Sequence, residues 1–285
     1  MRPIKPIIPT RPIDLLLYPY ITLTRVETMK AKKQLGQHFL IDQSVITNIM
    51  SRIEEHCAPA TPILEVGPGP GTLTYALAEK YKQFCAVEYD KDMVAILRQH
   101  LEIDQLIQAD FLQLNLADIH KGAAFNLVGN FPYNISSQIV FKMLEYKEKI
   151  PVMVGMFQKE MADRICASPG TKANGIITLR AQAFYTADKL FDIPPQAFDP
   201  VPKVNSSVIL MKRIENTSLP CNEKSFNKII KMAFQQRRKK MRNTLKPLLG
   251  DKPELMDHPL FQNRPEQLGV EEFVEVVRLL EGDNA

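Results

Sequence analysis

The chain has 285 residues, a formal net charge of +4 and 45% hydrophobic residues. This length allows one large or two unequal domains, and the composition is that of an ordinary globular protein. The four cysteines have no C-x-x-C spacing, which argues against a metal site and against a disulfide framework. We therefore expect a cytoplasmic protein with reduced cysteines and no bound metal.

Residues 1–28 differ in character from the rest of the chain. Their prolines disfavour a helix. The apolar run at residues 15–18 is too short to cross a membrane, and no small-residue cleavage site follows it. We predict a disordered extension, which could precede the true start of the protein at Met29, and we expect no membrane association.

Basic residues and a glycine precede the first predicted helix. Residues 32–40 read Lys-Lys-Gln-Leu-Gly-Gln-His-Phe-Leu, and apolar positions at helical spacing follow, with Asp42 or Ser44 as the N-cap. The stretch could close one side of a ligand pocket, or it could simply be a basic segment that precedes a core helix. We interpret His38 as a polar contact rather than as a catalyst.

A glycine-rich turn follows the next predicted strand. Residues 63–66 are mainly apolar, residues 67–71 read Gly-Pro-Gly-Pro-Gly, and a helix is predicted from Thr72. Glycines let the backbone approach a ligand closely, and the following helix presents free N–H groups. This pattern indicates a nucleotide-type cofactor loop, although such a turn can also join a strand to a helix without binding anything.

Two further predicted strands end in acidic residues. Residues 84–87 are followed by Glu88, placed where a carboxylate accepts hydrogen bonds from a ribose diol in such folds. Residues 106–109 are followed by Asp110, which could accept from the amine of an adenine. The spacing fits a nicotinamide cofactor as well as S-adenosylmethionine, and each acid could instead cap the next helix.

The strand predicted at residues 125–128 leads into the motif Asn-Phe-Pro-Tyr. Asn130 supplies an amide oxygen that can accept from an amine, and Pro132 stiffens the backbone so that the Phe131 carbonyl can point into the site. Tyr133 offers a ring face for stacking a base. Because open parallel sheets bind ligands beyond the carboxyl ends of their strands, the motif predicts a pocket for an adenine-like ring beside the glycine loop.

Helices and strands are predicted to alternate in the next part of the chain. A helix is expected over residues 134–144, and strands are expected at residues 151–157, 176–185 and 205–211. A proline-rich loop contains Phe198, which a rigid backbone could hold over a base, opposite the tyrosine of the Asn-Phe-Pro-Tyr motif. A boundary loop without a function explains this composition equally well.

After residue 213 the chain becomes helical and basic. Residues 237–242 hold five cations in six positions. A charged run is usually a solvated face, but cations that follow a base-binding pocket favour phosphate contacts. We therefore predict phosphate contacts in this region, by Arg237, Arg238, Lys239, Lys240 and Arg242.

These motifs, in this order, resemble the ribosomal RNA adenine dimethyltransferase family. That family includes bacterial small-subunit enzymes, their eukaryotic Dim1 relatives and, more distantly, the macrolide-resistance methylases. The resemblance covers the chain from about Lys30 to Val276. The segments that carry it are residues 34–40, 65–71, 130–134, 158–160, 198–204, 236–243 and 264–268.

The resemblance implies an α/β fold, with a class I (Rossmann-like) seven-stranded methyltransferase sheet and a small all-helical C-terminal domain. The methyltransferase domain would span residues 29–213, and the basic RNA-binding domain would span residues 214–285. With S-adenosylmethionine as the donor, the implied cofactor pocket is lined by His38, Leu40, Gly67, Gly69, Glu88, Asp110 and Asn130. The implied catalytic residues at the target base are Asn130, Phe131, Pro132, Tyr133 and Phe198.

In this family the bacterial substrate is a pair of adjacent adenosines in a hairpin near the 3′ end of small-subunit rRNA, each of which is dimethylated. We expect a monomer that acts on an immature 30S particle. Three alternatives stay open: a large-subunit rRNA methylase of the resistance type, a dehydrogenase, and a mainly non-catalytic ribosome-assembly or transcription factor. The dehydrogenase is disfavoured because Asn-Phe-Pro-Tyr would have no task in it.

The sequence departs from the family pattern at four positions. His38 stands where an asparagine is common, and Phe131 stands where leucine or isoleucine is usual. Asn174 replaces a tyrosine that often precedes the glycine, and Asn205 replaces a frequent aspartate. None of these changes removes a group that the implied chemistry requires.

Overall fold

The computed structural model describes residues 31–32, 35–215, 217–250 and 252–282. The predicted extension at residues 1–28 and the alternative start at Met29 lie outside the described residues. Within the described part of the chain, no helix is long and apolar enough to cross a membrane.

Seven of the strands form one mixed sheet. In chain order the strands are β1 (Phe39–Leu40), β2 (Ile63–Val66), β3 (Phe84–Glu88), β4 (Leu106–Gln108), β5 (Asn126–Asn130), β6 (Val152–Gln158), β7 (Tyr185–Ile193), β8 (Phe198–Asp199) and β9 (Ser206–Arg213). The order in the sheet is β4-β3-β2-β5-β6-β9-β7, which confirms the predicted seven-stranded α/β sheet. The short strands β1 and β8 pair with each other instead.

The strand directions create a reversal point in the middle of the sheet. The strands from β4 to β6 are parallel, whereas β9 runs antiparallel to both β6 and β7. The chain winds from β2 outward through β3 to β4 and then returns to β5 on the other side of β2. Open α/β sheets bind ligands at such a reversal, beyond the carboxyl ends of the strands. This rule places a ligand crevice between β2 and β5.

Helices connect the strands and form the C-terminal region. Their bounds are α1 (Gln43–His56), α2 (Thr74–Lys80), α3 (Lys91–Leu97), α4 (Ser136–Glu145), α5 (Lys159–Ile165), α6 (Ile176–Gln182), α7 (Glu223–Gln235), α8 (Met241–Thr244), α9 (Lys246–Leu249), α10 (Pro259–Gln262) and α11 (Val270–Glu281). Asp42 caps α1 as predicted, because its carboxylate accepts from the backbone N–H groups of Ser44 and Val45.

Successive residues of the central strands face two different cores. In β2, Ile63 packs in the core that contains α1, α2 and α3, whereas Leu64 packs in the core on the other face of the sheet. Leu127 and Val128 of β5 alternate in the same way. Because helices cover both faces, these strands are nearly continuous apolar runs, and this is the pattern that made them predictable from the sequence.

The prediction of a strand at residues 176–185 is wrong. Most of this stretch forms α6, and the strand there, β7, begins only at Tyr185. The β-branched residues Ile176, Ile177 and Thr178 suggested a strand, but Ile177 and Leu179 are buried in a core shared with α4 and α7. Packing against other helices therefore overrides the local propensity.

The C-terminal helices share a core with the rest of the molecule. Phe226 and Ile230 of α7 and Phe273 and Val277 of α11 belong to the same buried cluster as Leu127 of β5. The division of the chain near residue 213 into two domains stays a prediction, because this apolar core is continuous across it.

Candidate active site

A cavity of about 230 Å³ opens at the reversal point of the sheet. Its wall is built from residues 35–40, the glycine loop, and the segments that follow β3, β4 and β5. The predicted site residues that line it are His38, Leu40, Gly67, Gly69, Glu88, Asp110, Asn130, Phe131, Pro132 and Tyr133. Residues from five separate parts of the sequence are thus brought to one cavity.

The glycine loop packs closely against two other parts of the wall. Gly67 and Gly69 have φ values of 69° and 55°, in the left-handed region that favours glycine. A Cβ atom at Gly67 would lie 3.3 Å from Pro132, and one at Gly69 would lie 3.5 Å from the ring of Phe39. The loop can therefore present its backbone to the cavity while touching both neighbours.

Glu88 ends β3 with its carboxylate held by two backbone N–H groups. Oε2 accepts from Gly69 at 3.0 Å, and Oε1 accepts from Asp90 at 2.8 Å. Burial raises the pKa of Glu88, and these hydrogen bonds oppose the rise. Each oxygen has a further lone pair, so the carboxylate can still accept from a ligand diol. Asp90, not Glu88, caps the next helix.

Asp110 caps the helical turn that follows it, which was one of the two roles considered from the sequence, and it also lines the cavity. Its Oδ1 atom accepts from the backbone N–H of Leu112 at 2.9 Å and so caps the 3₁₀ turn Phe111–Gln113. Capping occupies one oxygen, so the remaining acceptor capacity of the carboxylate is open to a ligand amine.

The amide of Asn130 is oriented by a backbone carbonyl. Its Nδ2 atom donates to the carbonyl oxygen of His38 at 3.1 Å. This contact requires that the nitrogen, not the oxygen, faces His38, so the amide oxygen is turned away from it. The oxygen is therefore the atom that can accept a hydrogen from a bound amine.

Tyr133 is held at its hydroxyl and along its ring. The hydroxyl lies 2.5 Å from the Ser206 hydroxyl, and the ring stacks on that of His38, with centroids 5.5 Å apart and planes 26° apart. The Nδ1 atom of His38 lies 2.6 Å from the carbonyl oxygen of Pro200. The predicted role of His38 as a polar contact agrees with this geometry.

Phe198 does not line the cavity, so the prediction that it lies over a base is wrong for this structure. Its side chain is 1% exposed and packs in the core beside Val208 and Leu210. The reason is that β8 pairs with β1, with Phe198 opposite Leu40. This short pairing orders the loop while it keeps the ring in the core.

Lys32 and Gln37 contact the segment after β3, an arrangement that was not predicted from the sequence. Lys32 Nζ lies 2.5 Å from Asp90 Oδ1 and 2.7 Å from Asp92 Oδ2. Gln37 donates to Asp90 Oδ2 at 2.9 Å. Hydrogen bonds with the two aspartates raise the pKa of Lys32. This network closes one wall of the cavity.

Glu65, the first residue of the glycine-rich motif, also lines the cavity and was not predicted as a site residue. It is 2% exposed. Burial raises its pKa to about 8. A carboxylate inside an otherwise apolar strand was the sequence feature that could have identified it.

The cations predicted to contact RNA are absent from the cavity wall. Arg237, Arg238, Lys239 and Lys240 lie between α7 and α8, and Arg242 lies in α8. Arg238, Lys239 and Lys240 are exposed. Arg237 donates to the carbonyl oxygen of Lys172 and lies 3.9 Å from Glu266, so it joins this turn to the loop after α5. Among the described residues, no group of three or more His, Cys, Asp or Glu side chains could hold a metal ion.

A family model described as ribosomal RNA adenine dimethylase matches residues 28–281 of the chain. The chain belongs to this family. The match confirms the resemblance drawn from the sequence motifs, and it confirms an rRNA adenine dimethyltransferase as the class of enzyme.

Several curated proteins are similar to this chain over most of their length. The ribosomal RNA small subunit methyltransferase A of Phocaeicola vulgatus is 48% identical over 255 residues, which cover 89% of this chain and 90% of the relative. The protein of the same name from Cytophaga hutchinsonii is 44% identical and is covered completely, with 90% of this chain matched.

Solved structures of more distant proteins share the fold. A dimethyladenosine transferase from Plasmodium falciparum superposes with a TM-score of 0.71 at 20% identity, covering 86% of this chain and 98% of that one. The 23S rRNA methyltransferase ErmE superposes with a TM-score of 0.62 at 24% identity, covering 84% and 99%. The Rossmann-like methyltransferase fold is therefore confirmed.

The structure explains how the chain accommodates three of its four departures from the family pattern. At position 38 the contact with Asn130 uses the backbone carbonyl, which any residue supplies. The Phe131 ring fits because the neighbouring positions are glycines: an added Cβ atom would lie 2.2 Å from the ring at Gly155 and 3.1 Å from it at Gly129. Asn174 is 1% exposed and donates to the carbonyl oxygens of Glu266 and Leu268, at 2.9 Å each.

Proposed function

We propose that this chain transfers methyl groups from S-adenosylmethionine to the N6 atoms of two adjacent adenosines in the 3′-terminal hairpin of small-subunit rRNA, converting each to dimethyladenosine. One observation carries the proposal: Asn130, Pro132 and Tyr133 line the same cavity as Glu88 and Asp110. A donor pocket and an amine-accepting pocket are thus continuous. The names of the relatives in Phocaeicola and Cytophaga support the small subunit as the target.

The residues present fit S-adenosylmethionine. Glu88 offers acceptors for a ribose diol, and Asp110 offers an acceptor for an adenine amine. Tyr89 lines the cavity and is 63% exposed, so its ring can cover one side of the base. The bound donor supplies a methyl group that is already activated by its sulfonium charge.

Asn130 and the backbone carbonyl of Phe131 accept the two hydrogens of the target amine. The lone pair of an aromatic amine is delocalised into the ring, so the amine is a poor nucleophile. Acceptance of both hydrogens favours a more pyramidal nitrogen, whose lone pair is available. Since the donor is already activated, positioning is the main contribution required of the protein. No strong general base is needed, because the methylated, cationic nitrogen is acidic enough to lose its proton to water.

Tyr133 stabilises the target base outside its helical stack. A base must leave the stack to reach a cavity of this kind, and stacking on an aromatic ring compensates the loss. The Ser206 hydroxyl and the His38 ring hold Tyr133 in place for this contact. Phe198 has no part in this step, because its ring is buried.

The basic segment at residues 237–242, which includes the turn between α7 and α8 and the start of α8, binds the phosphate backbone of the RNA. Its exposed cations contribute sequence-independent affinity, while the cavity selects the base. We propose that the physiological partner is the immature 30S particle, that the protein acts as a monomer in the cytoplasm, and that no metal ion takes part.

The Asn130→Ala variant tests the catalytic assignment. We expect it to fold and to bind RNA, but to lose turnover by at least about 100-fold, as is typical when one preorganised polar contact to the reacting group is removed. Methyl transfer to small-subunit particles, together with RNA binding measured by gel shift, checks both parts.

Asn115→Ala is the matched control, because Asn115 is exposed and lies outside the cavity wall. This control should retain wild-type turnover. Substantial methylation by Asn130→Ala would refute the role of the amide, whereas loss of folding would appear as a lowered melting temperature.

A further inference from the structure

Asp90 is a buried carboxylate beside the cavity that has no task in the proposed reaction. It comes two residues after Glu88 and is buried, although it does not line the cavity. Its Oδ1 atom accepts from the backbone N–H of Asp92 at 3.0 Å and so caps α3. Buried carboxylates are rare unless they are paired, so the burial of Asp90 requires partners beyond the helix that it caps.

Those partners are Lys32 and Gln37, which precede the first strand. Oδ1 of Asp90 lies 2.5 Å from Lys32 Nζ, and Oδ2 accepts from the side-chain nitrogen of Gln37 at 2.9 Å. The side-chain oxygen of Gln37 accepts in turn from the backbone N–H of Lys32 at 2.8 Å. Each of the three residues therefore contacts the other two, and we refer to the three together as the Asp90 clasp.

The Asp90 clasp contains an ion pair with one buried member. Burial acts to raise the pKa of Asp90, but hydrogen bonds with Lys32 and Gln37 oppose this, and the pKa lies below its usual value. The carboxylate is therefore ionised at neutral pH and attracts the Lys32 ammonium. Lys32 also lies 2.7 Å from the exposed Asp92, but such a surface ion pair contributes little. Asp90 is thus the acid on which the clasp depends.

The clasp fixes the chain just before the carbonyl group that orients Asn130. That carbonyl belongs to His38, the residue after Gln37, and its oxygen accepts from Asn130 Nδ2 at 3.1 Å. On the other side of His38, β1 pairs with β8. The position of the carbonyl oxygen therefore depends on two attachments, and the clasp is one of them. Release of the clasp would leave the amide of Asn130 without a fixed acceptor.

The backbone of Asp90 is connected to the residue proposed to bind the donor ribose. Its N–H donates to Glu88 Oε1 at 2.8 Å, while Glu88 Oε2 accepts from the N–H of Gly69 at 3.0 Å. Asp90 thus contacts the diol acceptor through its backbone, and it contacts the segment that orients Asn130 through its side chain. This arrangement lets one residue hold the donor side and the acceptor side of the cavity together.

We propose that Asp90 is a positioning residue for methyl transfer, which acts through the clasp to hold the amide of Asn130 in its productive orientation. The inference rests on the proposed function, because that function makes Asn130 the acceptor of the target amine. Misplacement of a reacting group by about 1 Å can cost about 100-fold in rate. A residue outside the cavity wall can therefore affect the rate without touching either ligand.

Asp90→Asn is the variant that separates positioning from folding. Its side-chain oxygen can still cap α3, because asparagine and aspartate are about equally good N-cap residues. The clasp is lost, because the neutral amide does not pair with Lys32 and its nitrogen then faces the side-chain nitrogen of Gln37, also a donor. We expect kcat to fall by about 10- to 100-fold, with unchanged affinity for RNA.

A double-mutant cycle with Asn130→Ala gives the decisive measurement. The kcat for methyl transfer to small-subunit particles is measured for the wild type, for both single variants and for the double variant. If Asp90 acts through Asn130, Asp90→Asn should cause no further loss once the amide is absent, because residues that act as a unit have non-additive effects. A purely structural role would instead lower kcat by the same factor in both backgrounds.

Two further variants complete the test. Lys32→Met removes the cation of the clasp, leaves the cap of α3 in place and should give the same non-additive pattern. It also supplies the cycle if Asp90→Asn does not fold, which a melting curve shows. Asp163→Asn is the control, because it removes a carboxylate that pairs with Lys189 and does not line the cavity. This control should retain the kcat of the wild type.

The outcomes separate this inference from the proposed function. A wild-type kcat in folded Asp90→Asn, or an equal loss with and without the amide of Asn130, would overturn the positioning role and leave the proposed function intact. Failure of the wild type to methylate the particles, or full turnover by Asn130→Ala, would overturn the proposed function itself. The latter two results involve no change at Asp90, so the two failures are distinguishable.

Discussion

The orientation of Asn130 depends on a residue 92 positions away in the sequence, because the carbonyl oxygen of His38 accepts from its amide nitrogen. Residues 35–40 therefore have a second role besides forming a wall of the cavity, since they also fix which atom of Asn130 faces a ligand. The same histidine stacks on Tyr133 and contacts the carbonyl oxygen of Pro200. One residue thus connects its own segment to the Asn-Phe-Pro-Tyr motif and to the loop that contains Pro200.

Tyr133 allows a residue-scale prediction, because its ring and its hydroxyl have separate contacts. Tyr133→Ala should lower kcat/KM for RNA by about 5- to 150-fold, the equivalent of about 1–3 kcal/mol for the loss of one base–aromatic stack. Tyr133→Phe keeps the ring and loses only the contact with Ser206, so its kcat/KM should change less. Steady-state kinetics of both variants make the comparison.

Affinity for S-adenosylmethionine, measured by calorimetry, is the control in this comparison and should change little in either variant. Equal losses of kcat/KM in the two variants would show that the hydroxyl, rather than the stacking face, is what matters.

Most residues of the candidate site could be predicted from the sequence, because the carboxyl ends of parallel strands meet at one edge of the sheet. Glu88, Asp110 and Asn130 all follow predicted strands and all line the cavity. Phe198 could not be placed in this way, because the direction of its ring depends on the pairing of β8 with β1, residues far apart in sequence. The ion pair between Lys32 and Asp90 was not predicted either, because these residues are also far apart in sequence.

At the scale of elements, the buried strands and the edge strand β4 were predicted from the sequence, but the edge strand β7 was not. β2, β3, β5 and β6 are nearly continuous apolar runs. β7 lies at the edge of the sheet, and much of it is exposed or half-buried, so its sequence lacks that pattern. The preceding segment has the β-branched residues expected of a strand but folds as α6, because its apolar face packs among other helices.

Two neighbouring strands leave room for the ring of Phe131. Gly129 of β5 and Gly155 of β6 pair with each other. A Cβ atom at Gly155 would collide with that ring, at 2.2 Å, and one at Gly129 would lie 3.1 Å from it. The ring is fully buried and contacts Phe157 edge-on, with centroids 5.1 Å apart. The packing of β5 against β6 therefore positions the Asn-Phe-Pro-Tyr motif.

Gly155→Ala should destabilise the protein by about 1–3 kcal/mol, since an added methyl group in a filled core forces side chains out of place. Because the displaced ring belongs to Phe131, methyl transfer should fall as well. Urea unfolding gives the change in stability. Gly250→Ala is the control, because nothing lies within 4 Å of a Cβ atom at Gly250, and its stability should change by less than about 0.5 kcal/mol.

At the scale of the whole molecule, one apolar core joins the sheet to the C-terminal helices. The basic turn between α7 and α8 is connected to the loop after α5 through Arg237, which contacts Lys172 and Glu266. The phosphate-binding surface that we propose on this turn therefore belongs to the same packed body as the cavity. Such a body can hold an RNA backbone at a fixed distance from the base that is modified.

The choice of RNA is the central claim, and methyl transfer from labelled S-adenosylmethionine tests it most directly. The wild type and Asn130→Ala are each incubated with immature small-subunit particles and, separately, with bare large-subunit rRNA, and the products are digested to nucleosides. We predict labelled dimethyladenosine from the small-subunit particles with the wild type alone. Label in the large-subunit RNA, or no label in either RNA despite intact binding, would contradict the account.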